Sequence, residues 1–181
     1  MNTTSRILGE ATRPPTSLEL TDPFKAYDYA RYVIEGPFPE GEAAIATNLL
    51  WAYYYAKYVI KGAFPEGEAS MATDSHYAYV YAMDVIKRRF PEGEVAIAKD
   101  PENTYYYALE FIEGRWPEGE AAMLVDSHYA YVYARDVIKG RFPEAEEAMA
   151  KDPEYANLYL QAFPDAKIEW YAREWIDWTQ L

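Results

Sequence analysis

The chain has 181 residues, 50% of them apolar and 17% aromatic, with 17 basic against 30 acidic side chains for a net charge of −13 and no cysteine at all. This composition excludes a disordered chain, which needs low hydrophobicity, and it excludes disulfides, thiolate chemistry and cysteine-based metal sites. It also argues against direct contact with nucleic acid or an anionic membrane surface, both of which select Lys and Arg.

The acidity is unevenly spread. Residues 1–37 hold four basic and five acidic groups, whereas residues 38–181 hold thirteen and twenty-five. No apolar run reaches the ~18 residues of a membrane span. Residues 1–20 have no apolar core of the kind a secretory signal needs, so a soluble, cytoplasmic protein is expected.

Residues 1–21 match no other part of the chain and contain the pair Pro14-Pro15. They read as an N-terminal extension, either mobile or strapped onto the fold. Residues 22–181 read as one repeat domain. A segment Asp22–Gly36 matches the second half of a repeat. The motif aromatic-Pro-Glu-Gly-Glu then begins at Phe38, Phe64, Phe90 and Trp116, recurs as FPEAE at Phe142, and leaves a short echo, FPDA, at Phe163. The five full motifs are 26 residues apart without an insertion.

Each unit predicts two helices. Counting the motif aromatic as position 1, the first helix opens with Pro at N1 (Pro39, Pro65), where the missing N–H costs nothing. Two glutamates follow in its first turn, where the helix dipole favours negative charge. This helix is expected over Pro39–Ala46 in the first unit. The second helix is expected over Asn48–Lys61, with N-caps at Asn48, Asp74, Asp100, Asp126 and Asp152, and with Gly62, Gly114 and Gly140 as left-handed C-terminal residues. On a helical wheel, positions 14, 15, 16, 18, 19, 22 and 23 form one wide apolar arc. In the second unit these are Tyr77, Ala78, Tyr79, Tyr81, Ala82, Val85 and Ile86. So wide an arc suits a helix flanked on both sides, as in a solenoid. The fold class is therefore all-α: short αα-hairpin tandem repeats stacked as a curved or right-angled α-solenoid. The segment Trp170–Ile176 echoes Val132–Ile138 and is expected to cap the C-terminal end.

A longer period is also visible. DSHYAYVYA occurs at Asp74–Ala82 and Asp126–Ala134, and KDPE at Lys99–Glu102 and Lys151–Glu154, each separated by 52 residues. The array reads as grown by duplicating a pair of units.

Three features invite a functional reading. The first is an acidic ladder: Glu40 and Glu42, Glu66 and Glu68, Glu92 and Glu94, Glu118 and Glu120, Glu144 and Glu146. Stacked at the ~8–10 Å of packed helices, it could imitate nucleic-acid phosphates and fill a basic groove, or it could serve only the helix dipole. Near-identical carboxylate pairs lack the unequal environments that acid–base catalysis requires. The second feature is position 17, which falls at the centre of the polar arc yet holds Tyr54, Val80, Tyr106, Val132 and Leu158, an apolar stripe suited to a partner or to a covering segment. The third is the histidine pair His76 and His128, two units apart and too distant to share a metal; both read as exposed surface residues. No nucleophile triad, phosphate loop or zinc motif is present, so no enzyme activity, metal or cofactor is expected.

The stretches VIKGAFPEGEASMA (Val59–Ala72), VIKRRFPEGEVAIAKDPE (Val85–Glu102) and VIKGRFPEAEEAMAKDPE (Val137–Glu154) resemble a group of uncharacterised tandem-repeat proteins of bacteriophage genomes. The resemblance implies a viral origin and transfers no catalytic residue. Small acidic phage proteins often act against host defence proteins, so the resemblance together with the acidic ladder gives the expected function, an acidic inhibitor or decoy of a host protein with a basic surface, by nucleic-acid mimicry. Two alternatives remain open: an interaction scaffold using the position-17 stripe, and a protein that sequesters a small ligand.

Overall fold

A computed structural model describes residues 13–168, and all regular structure among them is helical. The chain alternates short first helices and longer second helices. After α1 (Ser17–Thr21) comes the second helix of the half unit, α2 (Pro23–Tyr29, continuing as Ala30–Ile34). The first helices are α3 (Pro39–Ile45), α5 (Pro65–Met71), α7 (Pro91–Ile97) and α9 (Pro117–Met123). In the fifth unit a single 3₁₀ turn (Pro143–Ala145) precedes α11 (Glu146–Met149). The second helices are α4 (Leu49–Tyr55, then Ala56–Ile60), α6 (Ser75–Val80, then Tyr81–Ile86), α8 (Pro101–Tyr107, then Ala108–Ile112), α10 (Ser127–Val132, then Tyr133–Ile138) and α12 (Pro153–Ala162).

Successive second helices pack on one another from α2 through α12, and α3, α5 and α7 do the same in a second layer. This is the expected αα-solenoid. The expected helix bounds hold to within a residue at each N-terminus. Asp22, Asn48, Asp74, Asp100, Asp126 and Asp152 each accept a backbone N–H in the first turn of their helix, at 2.9–3.1 Å.

The C-terminal ends differ from expectation. The second half of each second helix, α12 excepted, widens to π geometry. The left-handed residue is the one before the glycine: Glu35, Lys61, Lys87, Glu113 and Lys139 have φ of 50–59°. Gly36, Gly62 and Gly140 come next, and their N–H groups reach back six residues to Ala30, Ala56 and Ala134 at 3.1–3.2 Å, one residue further than the Schellman bond of an α-helix end, in keeping with the widened π turn. Arg88 takes the glycine's place in the second unit, so this site makes no demand for glycine.

The glycine of each PEGE motif has a packing cause instead. A Cβ on Gly93 would sit 2.5 Å from the Phe90 ring and 2.7 Å from the Cβ of Ala78, in the preceding unit's second helix. Gly41, Gly67 and Gly119 meet Ala26, Ala52 and Thr104 in the same way. Where the fifth unit has Ala145 instead, the first turn is 3₁₀ rather than α.

The core is a column of aromatic pairs. The position-18 tyrosines Tyr29, Tyr55, Tyr81, Tyr107, Tyr133 and Tyr159 are all buried, as expected. From Tyr29 to Tyr133, each ring lies 5.0–5.6 Å from the motif aromatic of the next unit. Such pairs contribute roughly 0.5–1.5 kcal/mol beyond their buried area.

The N-terminal end is strapped down from residue 13. Thr16 caps α1 in a reciprocal capping box with Glu19, Arg13 pairs with Glu19, and Tyr29 donates its hydroxyl to the Arg13 carbonyl. Helix α1 packs on α2 and α3. Residues 1–12 and the expected cap at Trp170–Ile176 lie outside the described residues.

Candidate functional site: the acidic edge

The ten glutamates of the ladder separate into two rows with different duties. The position-5 carboxylates are used inside the fold. In every unit the motif aromatic's N–H donates to the position-18 phenol at 2.7–2.9 Å. That phenol in turn donates to the position-5 glutamate at 2.7–3.3 Å. Glu42, Glu68, Glu94, Glu120 and Glu146 thus terminate a buried relay that satisfies the first N–H of each unit. Burial pushes the Tyr133 and Tyr159 phenols up to about 12, and it pushes those of Tyr55, Tyr81 and Tyr107 up as well.

Three of these glutamates have a further partner. Arg89 grips Glu94 through two N–H groups at 2.9 Å, Arg115 grips Glu120 at 2.8 and 2.6 Å, and Arg141 grips Glu146 at 2.7–3.0 Å. Burial alone would raise the Glu94 carboxyl, but hydrogen bonds from Arg89 and Tyr107 outweigh it and hold it below the usual carboxylate range. The position-5 row is therefore structural, and a basic row does face it. Position 26, immediately before the motif aromatic, supplies those arginines; Pro37 and Ala63 stand there ahead of the first two units.

The position-3 row is different. Glu40, Glu66, Glu92, Glu118 and Glu144 are all exposed at the start of the first-helix layer. Glu144 lies 3.3 Å from Arg115, the residue just before the fourth unit's motif aromatic. These five form the acidic edge that the fold leaves on its surface.

Position 17 is not the open stripe that the wheel predicts. Val132 is buried, Tyr54, Val80 and Leu158 are half-buried, and Tyr106 alone is exposed. The cause is lateral packing between second helices. Tyr54 lies 6.2 Å from Tyr27, and Tyr106 lies 6.4 Å from Tyr79, each a position-16 ring of the preceding unit. Position 16 also clamps forward. Tyr53 donates to Asp84 at 2.9 Å beside Lys57, and Tyr105 donates to Asp136 at 2.8 Å.

His76 and His128 are exposed, as expected, and His128 lies 5.3 Å from the Tyr155 ring. Among the described residues no group of three or more His, Asp or Glu could hold a metal ion, and no helix is long and apolar enough to cross a membrane. The hollows between second-helix ends are open. One is lined by Arg31, Glu35, Tyr58 and Lys61, and the equivalent one three junctions later includes Glu113, Asp136 and Lys139. Charged, open and repeated, they offer no enclosed apolar space to a small ligand.

The relay was readable only in part. Position 18 announces itself as core, but its link to position 5 crosses a helix–turn–helix, a 13-residue separation with no periodic signal. The arginines were the available clue, since Arg89, Arg115 and Arg141 each stand five residues before a position-5 glutamate. No protein-family model matches this chain, and neither a curated protein nor a solved structure matches it.

Proposed function

We propose that the chain is a non-enzymatic binding protein whose first-helix layer offers the row Glu40, Glu66, Glu92, Glu118 and Glu144 to a basic protein surface, as an inhibitor or decoy. The observation that carries this reading is the division of the ladder. The position-5 glutamates are consumed by the relay, while the position-3 glutamates stay exposed at one edge in every unit. A regular row of like charge on a rigid array raises the local potential and steers a basic partner toward it. The resemblance to phage repeat proteins makes a host defence protein, held by imitation of nucleic-acid charge, the partner to look for.

The test spares the relay. In the variant carrying Glu40→Gln, Glu66→Gln, Glu92→Gln and Glu118→Gln, folding should be retained, because each lost helix-dipole contribution is worth roughly 0.3–1 kcal/mol at most. Host proteins captured on the immobilised wild-type chain are titrated against both forms at low and high salt. Binding to the variant should be at least about tenfold weaker at low salt, with a flatter salt dependence. Equal affinity of both forms at both salts refutes the acidic edge as the binding face.

A further inference from the structure

The repeat is its own control for what the fold requires of its surface. Positions 6, 9 and 10 share one face of the first helix and its closing turn. Ala43, Ala46 and Thr47 hold that face in the first unit, Ala69, Ala72 and Thr73 in the second, and Glu147, Ala150 and Lys151 in the fifth, all at least partly open to solvent. The third and fourth units break the pattern. Val95 is 73% exposed at position 6, and Leu124 and Val125 are 40% and 83% exposed at positions 9 and 10. Among the described residues, no other large apolar side chain of the first-helix layer is exposed. Elsewhere Ala, Thr, Lys or Glu fills these positions, so the fold does not call for Val or Leu there.

The two helices that carry these side chains also frame a groove. Helices α3, α5 and α7 pack side by side, whereas a hollow of about 350 Å³ opens between α7 and α9, its apolar lining Pro91, Val95, Ile112, Trp116 and Pro117. From Val95, Leu124 lies one helix across and about one turn further along, roughly 10 Å away. That distance is about two turns of a helix, the spacing of i and i+7 anchors. The surrounding charge selects the occupant. With the N-cap aspartates included, residues 37–48, 63–74, 89–100, 115–126 and 141–152 carry nets of −2, −3, −1, −2 and −2. Arg89 and Arg115 beside the groove are held by Glu94 and Glu120 at 2.9 and 2.6 Å. A second copy docked through this face would set acid on acid, and anionic lipid or nucleic acid would meet the same repulsion.

We propose that the α7–α9 groove is the docking site for an amphipathic basic helix of a partner protein. Its apolar side chains fill the groove against Val95 and cover Leu124 and Val125, and its Lys or Arg side chains reach the exposed Glu92 and Glu118. This rests on the acidic-edge reading and deepens it: the edge steers the partner, and the groove fixes where along the array it sits. The probe is a fluorescein-labelled helical peptide of about 18 Leu and Lys residues, with Leu at i, i+3, i+4 and i+7 spacing. It is titrated with the full chain by fluorescence anisotropy at low and high salt. The test variant combines Val95→Ala, Leu124→Ala and Val125→Thr, each the residue that other units carry, with helicity checked by circular dichroism. This variant should bind at least about tenfold more weakly than wild type while keeping the wild-type salt dependence. A peptide with Gln in place of every Leu should lose a similar factor on wild type and bind both forms alike. The variant with glutamines on the acidic edge should instead show the flatter salt dependence, so failure of the edge and failure of the groove read out separately. A wild type that does not bind the Leu/Lys peptide, a triple variant that binds it as tightly, or a Gln peptide that binds wild type as well as the Leu peptide would each overturn the proposal.

Discussion

At position 18 a phenol, a backbone amide and a carboxylate meet in one buried corner, and the repeat returns to that corner five times. Tyr81 accepts from the Phe64 N–H and donates to Glu68 while its ring fills the core. Tyr81→Phe keeps the ring but strands the amide and the carboxylate, and should cost about 1–3 kcal/mol in urea unfolding. Tyr81→Ala, which also empties the cavity, should cost about 3–5 kcal/mol. Tyr106→Ala should cost under ~1 kcal/mol, because that ring is 42% exposed. The corner also sets an alkaline limit. Burial raises the Tyr133 and Tyr159 phenols from 10.0 to about 12, so the folded state holds their protons more tightly than the unfolded chain does. Their contribution is intact below about pH 10 and is lost as pH rises from 10 toward 12. Tyrosinate absorbance from the buried set should therefore appear together with loss of helicity. Full tyrosinate absorbance with helicity intact would contradict the relay.

At the scale of the element, helix beginnings were legible and helix ends were not. N-caps and N1 prolines work through one side chain or one ring, and the chain spells them out at Asp100-Pro101 and Asp152-Pro153. Widening to π geometry has no periodic signature. It moves the left-handed residue from the glycine onto the residue before it, where five charged side chains accept positive φ. Lys87→Gly should stabilise the protein by roughly 0.5–1 kcal/mol by relieving that backbone. Gly62→Ala should be nearly neutral, a pairing that thermal melts can resolve; the reverse ranking would return the left-handed role to the glycine. Position 17 escaped the wheel for a related reason. A wheel ranks faces about one axis, whereas each second helix here is flanked on both sides, and Tyr54 and Tyr106 are contacted from the preceding unit.

Across the whole molecule, the 26-residue period made the αα-solenoid legible before any contact was known, because a two-helix unit with so wide an apolar arc cannot bury it alone. What the period concealed was the division of labour within a conserved-looking motif. Two glutamates separated by one residue point to different fates, one into the Tyr–Glu–Arg corner and one to the surface edge.

The alternation of the forward clamp bears on how such an array can lengthen or shorten by recombination. Every contact of the relay falls inside one unit, whereas the clamp from Tyr53 to Asp84 recurs from Tyr105 to Asp136, skipping the junction between. Gaining or losing 52 residues reproduces both kinds of junction in their existing order. Gaining or losing 26 sets two junctions of one kind side by side and leaves one tyrosine facing the wrong neighbour. The block that can be copied or excised without a mismatch is thus the pair, in agreement with the paired wording DSHYAYVYA at Asp74 and Asp126. A lineage carrying this fold can change its reach in steps of two units while every buried corner keeps its partners.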